Sequence, residues 1–309
     1  MKLATVVKNG KEQAGVVKDN NFYPFTALNP ALPNDMLTFI EQYDRCRPLT
    51  EAGMQNAKPA CALKDTKIIC PLPNPKTIRD FVGFEGHCRN CSNHFGAMAA
   101  GIDIEKTVAV WKKAPGFYFT NTNALYGNDE PVPMHPRSKM FDFEFEIGFI
   151  IGKKGRDIPK EKANDYIFGF TIFNDWSARD IQLQEVQLGV GAPLGKGYAN
   201  GFGPVIVTKD EFDAYLQPGD PYRYNVKTKC FFNGKLLSEN NLNTIYYTFA
   251  DMIAWASLDT DLVPGDILGS GTIAGSSLCE QPPESPWLKK GDVIEMEAEG
   301  IGTFMNVVS

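Results

Sequence analysis

The sequence is short of several things, and each shortage narrows the function. No apolar run approaches the roughly 20 residues that a bilayer-spanning helix needs; the most hydrophobic stretches are as brief as residues 147–151, so no membrane partner is expected. No cluster of Lys and Arg stands out, and the formal net charge is -6. That argues against nucleic acid as a partner. The opening Met1-Lys2-Leu3-Ala4-Thr5-Val6-Val7-Lys8 stops being apolar too soon for a signal peptide, and a cytoplasmic protein is expected. Only 3 histidines occur, and the 7 cysteines are irregularly spaced, which reads as free thiols rather than a disulfide framework. Internal repeats and low-complexity segments are absent.

What is present is a chain of 309 residues, 43% hydrophobic, long enough for one large domain or a small one plus a large one. Its organising stretch is Phe141-Asp142-Phe143-Glu144-Phe145-Glu146-Ile147-Gly148-Phe149. Apolar and acidic residues alternate, so a β-strand would put Phe141, Phe143, Phe145, Ile147 and Phe149 on one face and Asp142, Glu144 and Glu146 on the other. Same-face carboxylates about 7 Å apart repel one another unless a proton or a cation lies between them. A hard ion such as Mg²⁺, Mn²⁺ or Ca²⁺ suits carboxylate oxygen. The other reading is an amphipathic strand whose acidic side faces water.

In chain order, residues 3–7 and 14–17 read as a hairpin around Asn9-Gly10, and Phe22-Tyr23-Pro24-Phe25 as a third strand. Met36, Leu37, Ile40 and Tyr43 follow helical spacing, with Asn34 or Asp35 as N-cap. Pro71-Leu72-Pro73-Asn74-Pro75 is a stiff extended connection. We expect a small N-terminal α+β domain over residues 1–70 and a main domain over 71–309. The window Asp80 to His94 holds two of the histidines and a Cys-x-x-Cys pair, so His87, Cys88, Cys91 and His94 offer a zinc or redox site; the alternative is a helix packing small thiols inside.

Residues 167–173 read as a buried strand ending at Asn174-Asp175-Trp176-Ser177, with a helix over 178–186 for which Asp175 is a possible N-cap. Arg179 and Gln182 share a face of that helix. The glycines around Lys196 are too widely spaced for a phosphate-binding loop. In the last third, strand-like runs over 226–232, 267–270 and 293–298 alternate with turns, and one helix spans 248–258. Many short strands and few helices indicate an α+β, mostly-β fold.

From Pro71 onward the chain resembles the fumarylacetoacetate hydrolase family. The carriers are Asp80-x6-His87, Glu144-x-Glu146, Asn174-Asp175-Trp176-Ser177-Ala178-Arg179-Asp180-Ile181-Gln182, Leu194-Gly195-Lys196 and Gly265-Asp266-Ile267-Leu268-Gly269-Ser270-Gly271-Thr272. The resemblance implies a mixed β-sheet roll, a homodimer and Mg²⁺, with Mn²⁺ or Ca²⁺ as substitutes. It implies that Asp80, Glu144, Glu146 and Asp175 are metal ligands, that His87 is the general base, and that Lys196 is the cation beside the metal. Arg179, Gln182 and Thr272 match positions that hold a 2-oxo acid substrate. The implied activity is hydrolysis of a carbon–carbon bond in a 1,3-diketo, acylpyruvate-like acid. Decarboxylation of an oxaloacetate-like acid, and isomerisation or hydration of an unsaturated 2-oxo acid, use the same enolate chemistry. Pocket tyrosines of the animal hydrolase correspond here to Val82 and Val186, so a differently shaped pocket is implied. A histidine base works best with a carboxylate on its second ring nitrogen. The position three after His87, acidic in some small members, is Asn90; Glu280 falls where larger members carry their dyad glutamate, so the resemblance implies that it supplies that carboxylate, with Glu284 as the fallback.

Overall fold

A computed structural model of the chain describes residues 1–98 and 103–309, the side chains of 92–98 excepted. Strands outweigh helices, 34% against 26%, as the mixed α+β reading requires. The N-terminal hairpin joins Lys2–Lys8 to Lys11–Lys18, and Asn9 and Gly10 both take positive φ, 52° and 72°. That geometry matches the right-handed twist of the paired strands.

These first strands do not stand apart. Lys2–Lys8 pairs antiparallel with Asn200–Thr208, and a 12-stranded sheet continues through Ile167–Asp175, Phe145–Ile151, Ile267–Gly269, Ile78–Phe81 and Phe117–Thr120. All ladders among these seven strands are antiparallel except that between Ile267–Gly269 and Ile78–Phe81, which is parallel. One face of the sheet packs on a 5-stranded sheet that contains Lys227–Phe232, Val293–Ala298 and Gly302–Val308. The helix Phe249–Ala256 joins that layer, its start fixed by a reciprocal Thr248–Asp251 capping box. The other face is covered by the helices Met36–Glu41 and Tyr43–Met54. Asp35 caps the first of these by accepting from Thr38 N–H at 2.8 Å.

The acidic stretch behaves as two strands rather than one. Phe141, Phe143, Phe145, Ile147 and Phe149 all enter the core between the two sheets. The backbone pairing, however, breaks between Phe141–Asp142 and Phe145–Ile151. The cause is Asp142, whose Oδ1 accepts from Phe143 N–H at 2.7 Å and Leu278 N–H at 2.8 Å, while Oδ2 takes Cys279 N–H at 3.0 Å. Side-chain acceptance of backbone donors competes with a ladder. The water-facing reading of the acidic side fails outright: Asp142, Glu144 and Glu146 are 0%, 4% and 1% exposed. The helix after Asp175 begins at Arg179 with Ala178 at its N-cap, so Asp175 lies too early to cap it and is directed elsewhere. Among the described residues, no helix is long and apolar enough to cross a membrane.

Candidate metal centre and active site

Strand register brings four carboxylates together. Phe145 is opposite Asn174, Glu146 opposite Phe173, and Asp80 opposite Gly269, whose strand lies against the one that carries Glu146. Asp80, Glu144, Glu146 and Asp175 each place one oxygen within 4.8 Å of the others, and all four side chains are buried. Gly269 is what leaves room between them. A Cβ there would meet Asp80 Oδ1 at 2.4 Å and Glu146 Oε2 at 2.8 Å, inside any tolerable contact.

The cluster is charged unevenly. Lys196 Nζ reaches Glu144 Oε2 at 2.5 Å, Asp175 Oδ2 at 2.5 Å and Ser177 Oγ at 2.7 Å, which engages all its protons. Arg179 adds a contact of 2.7 Å to Glu144 Oε1 and one of 2.8 Å to Asp142 Oδ2. Burial alone would raise the Glu144 pKa, but Arg179, Lys196 and His87 outweigh it and hold the carboxyl well below its ordinary value. Glu146 is the opposite case, pushed well up by burial first and then by Asp80. Burial likewise raises Asp80 and Asp175, against partial relief from neighbours that include Lys196. Buried Oδ1 of Asp80, Oε1 of Glu146 and Oδ1 of Asp175 make no hydrogen bond. Buried carboxylate oxygens are rarely left so, and an all-oxygen donor set with unused acceptors fits a hard divalent cation.

Beside the cluster, His87 Nδ1 lies 3.1 Å from Glu280 Oε2, and His87 Nε2 lies 3.5 Å from Glu144 Oε1. Burial would depress the imidazole, yet Glu280 and then Glu144 outweigh it and lift its pKa to about 9. Glu280 is fixed in turn by Gly275 N–H at 2.8 Å, Ser277 Oγ at 2.8 Å and Asn90 Nδ2 at 3.3 Å. Asn90 thus supports the carboxylate whose place it takes in the sequence. Glu284 is exposed.

The remaining candidates divide. Thr272 is buried, next to Gly271, whose N–H donates to Glu146 Oε2 at 2.8 Å. Gln182 Oε1 accepts from Arg179 Nη1 at 3.2 Å, and the Arg179 guanidinium is 1% exposed behind Glu144. Val82 is partly buried and Val186 is 48% exposed. Of the His-Cys-Cys-His window, His87 faces Glu280, and Cys91 Sγ lies 2.7 Å from Cys279 Sγ; the His94 side chain is outside the described residues. The carboxylate cluster is the grouping with metal-holding geometry among the described residues.

Two participants escape a reading of the sequence. Tyr118 brings its hydroxyl to 2.6 Å from both Asp80 Oδ2 and Asp175 Oδ2; with one proton it donates to one carboxylate at a time. It sits in Phe117-Tyr118-Phe119, which looks like core sequence and carries no sign of a polar task. Asp142 was visible as an acid, but not as the anchor that ties Arg179 to the turn bearing Glu280.

A family model described as fumarylacetoacetate (FAA) hydrolase C-terminal matches residues 76–309. The chain belongs to the fumarylacetoacetate hydrolase family. Within that family it is 31% identical over 297 residues to a mitochondrial oxaloacetate tautomerase of Rattus norvegicus, covering 95% of this chain and 84% of the relative. A mitochondrial oxaloacetate tautomerase of Xenopus laevis is 30% identical, with 93% and 82% covered. Among solved structures, the maleylpyruvate hydrolase of Sphingobium sp. SYK-6, in complex with manganese (II) ion and pyruvate, is 25% identical with TM-score 0.72, covering 100% of this chain and 98% of that one. The fumarylacetoacetate hydrolase of Exiguobacterium antarcticum shares the fold at 23% identity and TM-score 0.75, with 100% and 99% covered. Fumarylacetoacetate hydrolase family members are enzymes acting on small molecules, which places this chain in that broad class.

Proposed function

We propose that this chain is a divalent-metal-dependent enzyme that moves a proton between carbon and solvent in a 2-oxo diacid of the oxaloacetate class, interconverting keto and enol forms. The observation that carries the reading is the buried His87–Glu280 pair, its Nε2 turned toward a carboxylate cluster with unused oxygens. A Mg²⁺ or Mn²⁺ ion held by Asp80, Glu144, Glu146 and Asp175 would supply a Lewis acid that favours negative charge on the substrate's 2-oxo oxygen.

The chain's own residues do the rest. Glu280 fixes the imidazole orientation through Nδ1, so that in the neutral imidazole, once the imidazolium has lost its Nε2 proton, Nε2 is the atom that takes the proton from the carbon next to the carbonyl and returns it. Lys196 holds Glu144 and Asp175 at fixed separation and offsets their charge. Arg179 acts first through Glu144 and Asp142, and we assign Gln182 and Thr272 to the substrate's carboxylate and oxo groups. Burial of these groups keeps bulk water from the reacting atoms.

Two findings favour this proton transfer over carbon–carbon hydrolysis: relatives named oxaloacetate tautomerases are similar along 93–95% of the chain, and the same pair needs no positioned water for it. Hydrolysis of an acylpyruvate-like acid is the second reading, favoured by the likeness to the maleylpyruvate hydrolase. In it Nε2 would activate water instead. The deciding experiment follows oxaloacetate enol absorbance, pyruvate release and loss of a 1,3-diketo acid in parallel, with Mg²⁺, Mn²⁺ or chelator. The expected result is metal-dependent decay of the enol without stoichiometric pyruvate. Metal-dependent cleavage of the diketo acid alone would replace this reading with hydrolysis, and metal-independent turnover would remove both.

A further inference from the structure

Cys91 and Cys279 are 188 residues apart in sequence, yet their sulfurs lie 2.7 Å apart, about 0.7 Å beyond the ~2.05 Å of a covalent S–S bond. Both belong to buried residues, Cys91 at 9% exposure and Cys279 at 0%. The elements that carry them are the ones that carry the proton-transfer pair. Cys91 is one helical turn after His87 on Glu85–Met98, with its sulfur 3.6 Å from His87 Nε2, and Cys279 directly precedes Glu280 in the turn Leu278–Glu280. The backbone N–H groups of Leu278 and Cys279 both donate to Asp142, which fixes the turn that carries the Cys279 sulfur.

We propose that Cys91 and Cys279 form a reversible dithiol–disulfide couple, a modification site that staples the helix bearing His87 to the turn bearing Glu280. The partner chemistry is hydrogen peroxide as oxidant and a dithiol as reductant. The Cys91 sulfur, the more exposed of the two, attacks one peroxide oxygen; the O–O bond breaks, the thiol proton leaves with the departing oxygen as water, and Cys91 becomes a sulfenic acid. The Cys279 sulfur then displaces that hydroxyl, which leaves with the Cys279 proton as a second water. Two thiols are oxidised and one peroxide is reduced. Burial, followed by the adjacent Cys279 sulfur, holds the Cys91 thiol well above its ordinary pKa, so its attack on peroxide is slow.

The proposal is independent of substrate and metal, and so is its test. The full-length protein is treated with hydrogen peroxide, quenched with an alkylating agent, digested without reductant and mapped by mass spectrometry. The expected product is a peptide pair joined through Cys91 and Cys279, with the mass loss of two hydrogens and two fewer titratable thiols, reversed by dithiothreitol. The oxidised protein should unfold at a higher temperature than the reduced one, because the link closes a long loop of the unfolded chain. Cys91→Ser and Cys279→Ser should each abolish the link and the thermal shift, and Cys88→Ser should retain both. A linked Cys88–Cys91 pair, or a sulfinic acid at Cys91 beside an alkylated Cys279, would overturn the proposal.

Discussion

Glu144 and Glu146 lie two residues apart on one face of the chain and meet opposite electrostatic surroundings. Glu144 is clasped by Lys196 at 2.5 Å and Arg179 at 2.7 Å, whereas Glu146 accepts one hydrogen bond from Gly271 N–H and forms no ion pair among the described residues. Removing the charge of Glu146 therefore relieves a strained site, while removing that of Glu144 leaves two buried cations short of a counter-charge. In chelator, Glu146→Gln should melt at or above the parent temperature. Glu144→Gln should lose about 3 kcal/mol or more, the usual cost of breaking a buried pair. Both should lose metal-dependent turnover. Calorimetric scans and metal titration of the two variants check this, and equal melting temperatures would contradict the assigned environments.

Glu280→Gln keeps the shape of the side chain but removes the charge that orients and holds His87. We expect kcat to fall by about 10²-fold or more, the range for general acid–base help, with metal affinity unchanged. Glu284→Gln, at an exposed position, should be silent. Steady-state kinetics beside calorimetric metal titration separates the two.

Tyr118→Phe removes a hydroxyl 2.6 Å from two of the four carboxylates without opening a cavity. Groups that orient metal ligands are typically worth 10–100-fold in affinity. A weaker Mn²⁺ dissociation constant of roughly that size, read by titration without substrate, is the expected result. An unaltered constant would reduce Tyr118 to packing.

Asp142→Asn tests the anchor. The amide cannot accept Leu278 N–H and Cys279 N–H while also balancing Arg179, so a buried donor goes unmet at about 1–3 kcal/mol. Beyond the stability loss, the turn carrying Glu280 should loosen, and kcat should fall with KM less affected. Restoration of kcat in a variant that remains destabilised would separate the two effects and remove the positioning role.

Much of this was legible because it is periodic or bound to a motif. Alternation in 141–149 announced a greasy face and an acidic one, and Asn9-Gly10 announced its hairpin, since each signal is local. The Asn174 to Gln182 run was the most specific of the five motifs that carried the family likeness. What stayed hidden depends on contacts across long separations. Nothing near Tyr118 says that it will meet Asp175, 57 residues on. The alternation in 141–149 conceals the break at Asp142, because two of the three donors that cause it come from residues 278 and 279. Burial of the acidic face was illegible for the same reason: alternation distinguishes two faces but does not say what covers each.

The strand Ile267–Gly269 lies hydrogen-bonded between the strand of Glu146 and that of Asp80 and contributes no side-chain donor of its own. During synthesis, every carboxylate of the cluster has emerged by residue 175, but the strand that sets Asp80 beside Glu146 is almost a hundred residues behind. Until it inserts, the acids have no common place to point. Pairing across such separations is slow because loop closure precedes its reward. A nascent chain that stops short of Gly269 thus carries all four carboxylates without the strand that gathers them, so the metal proposed for this cluster would find no assembled site until the last third of the protein has been made.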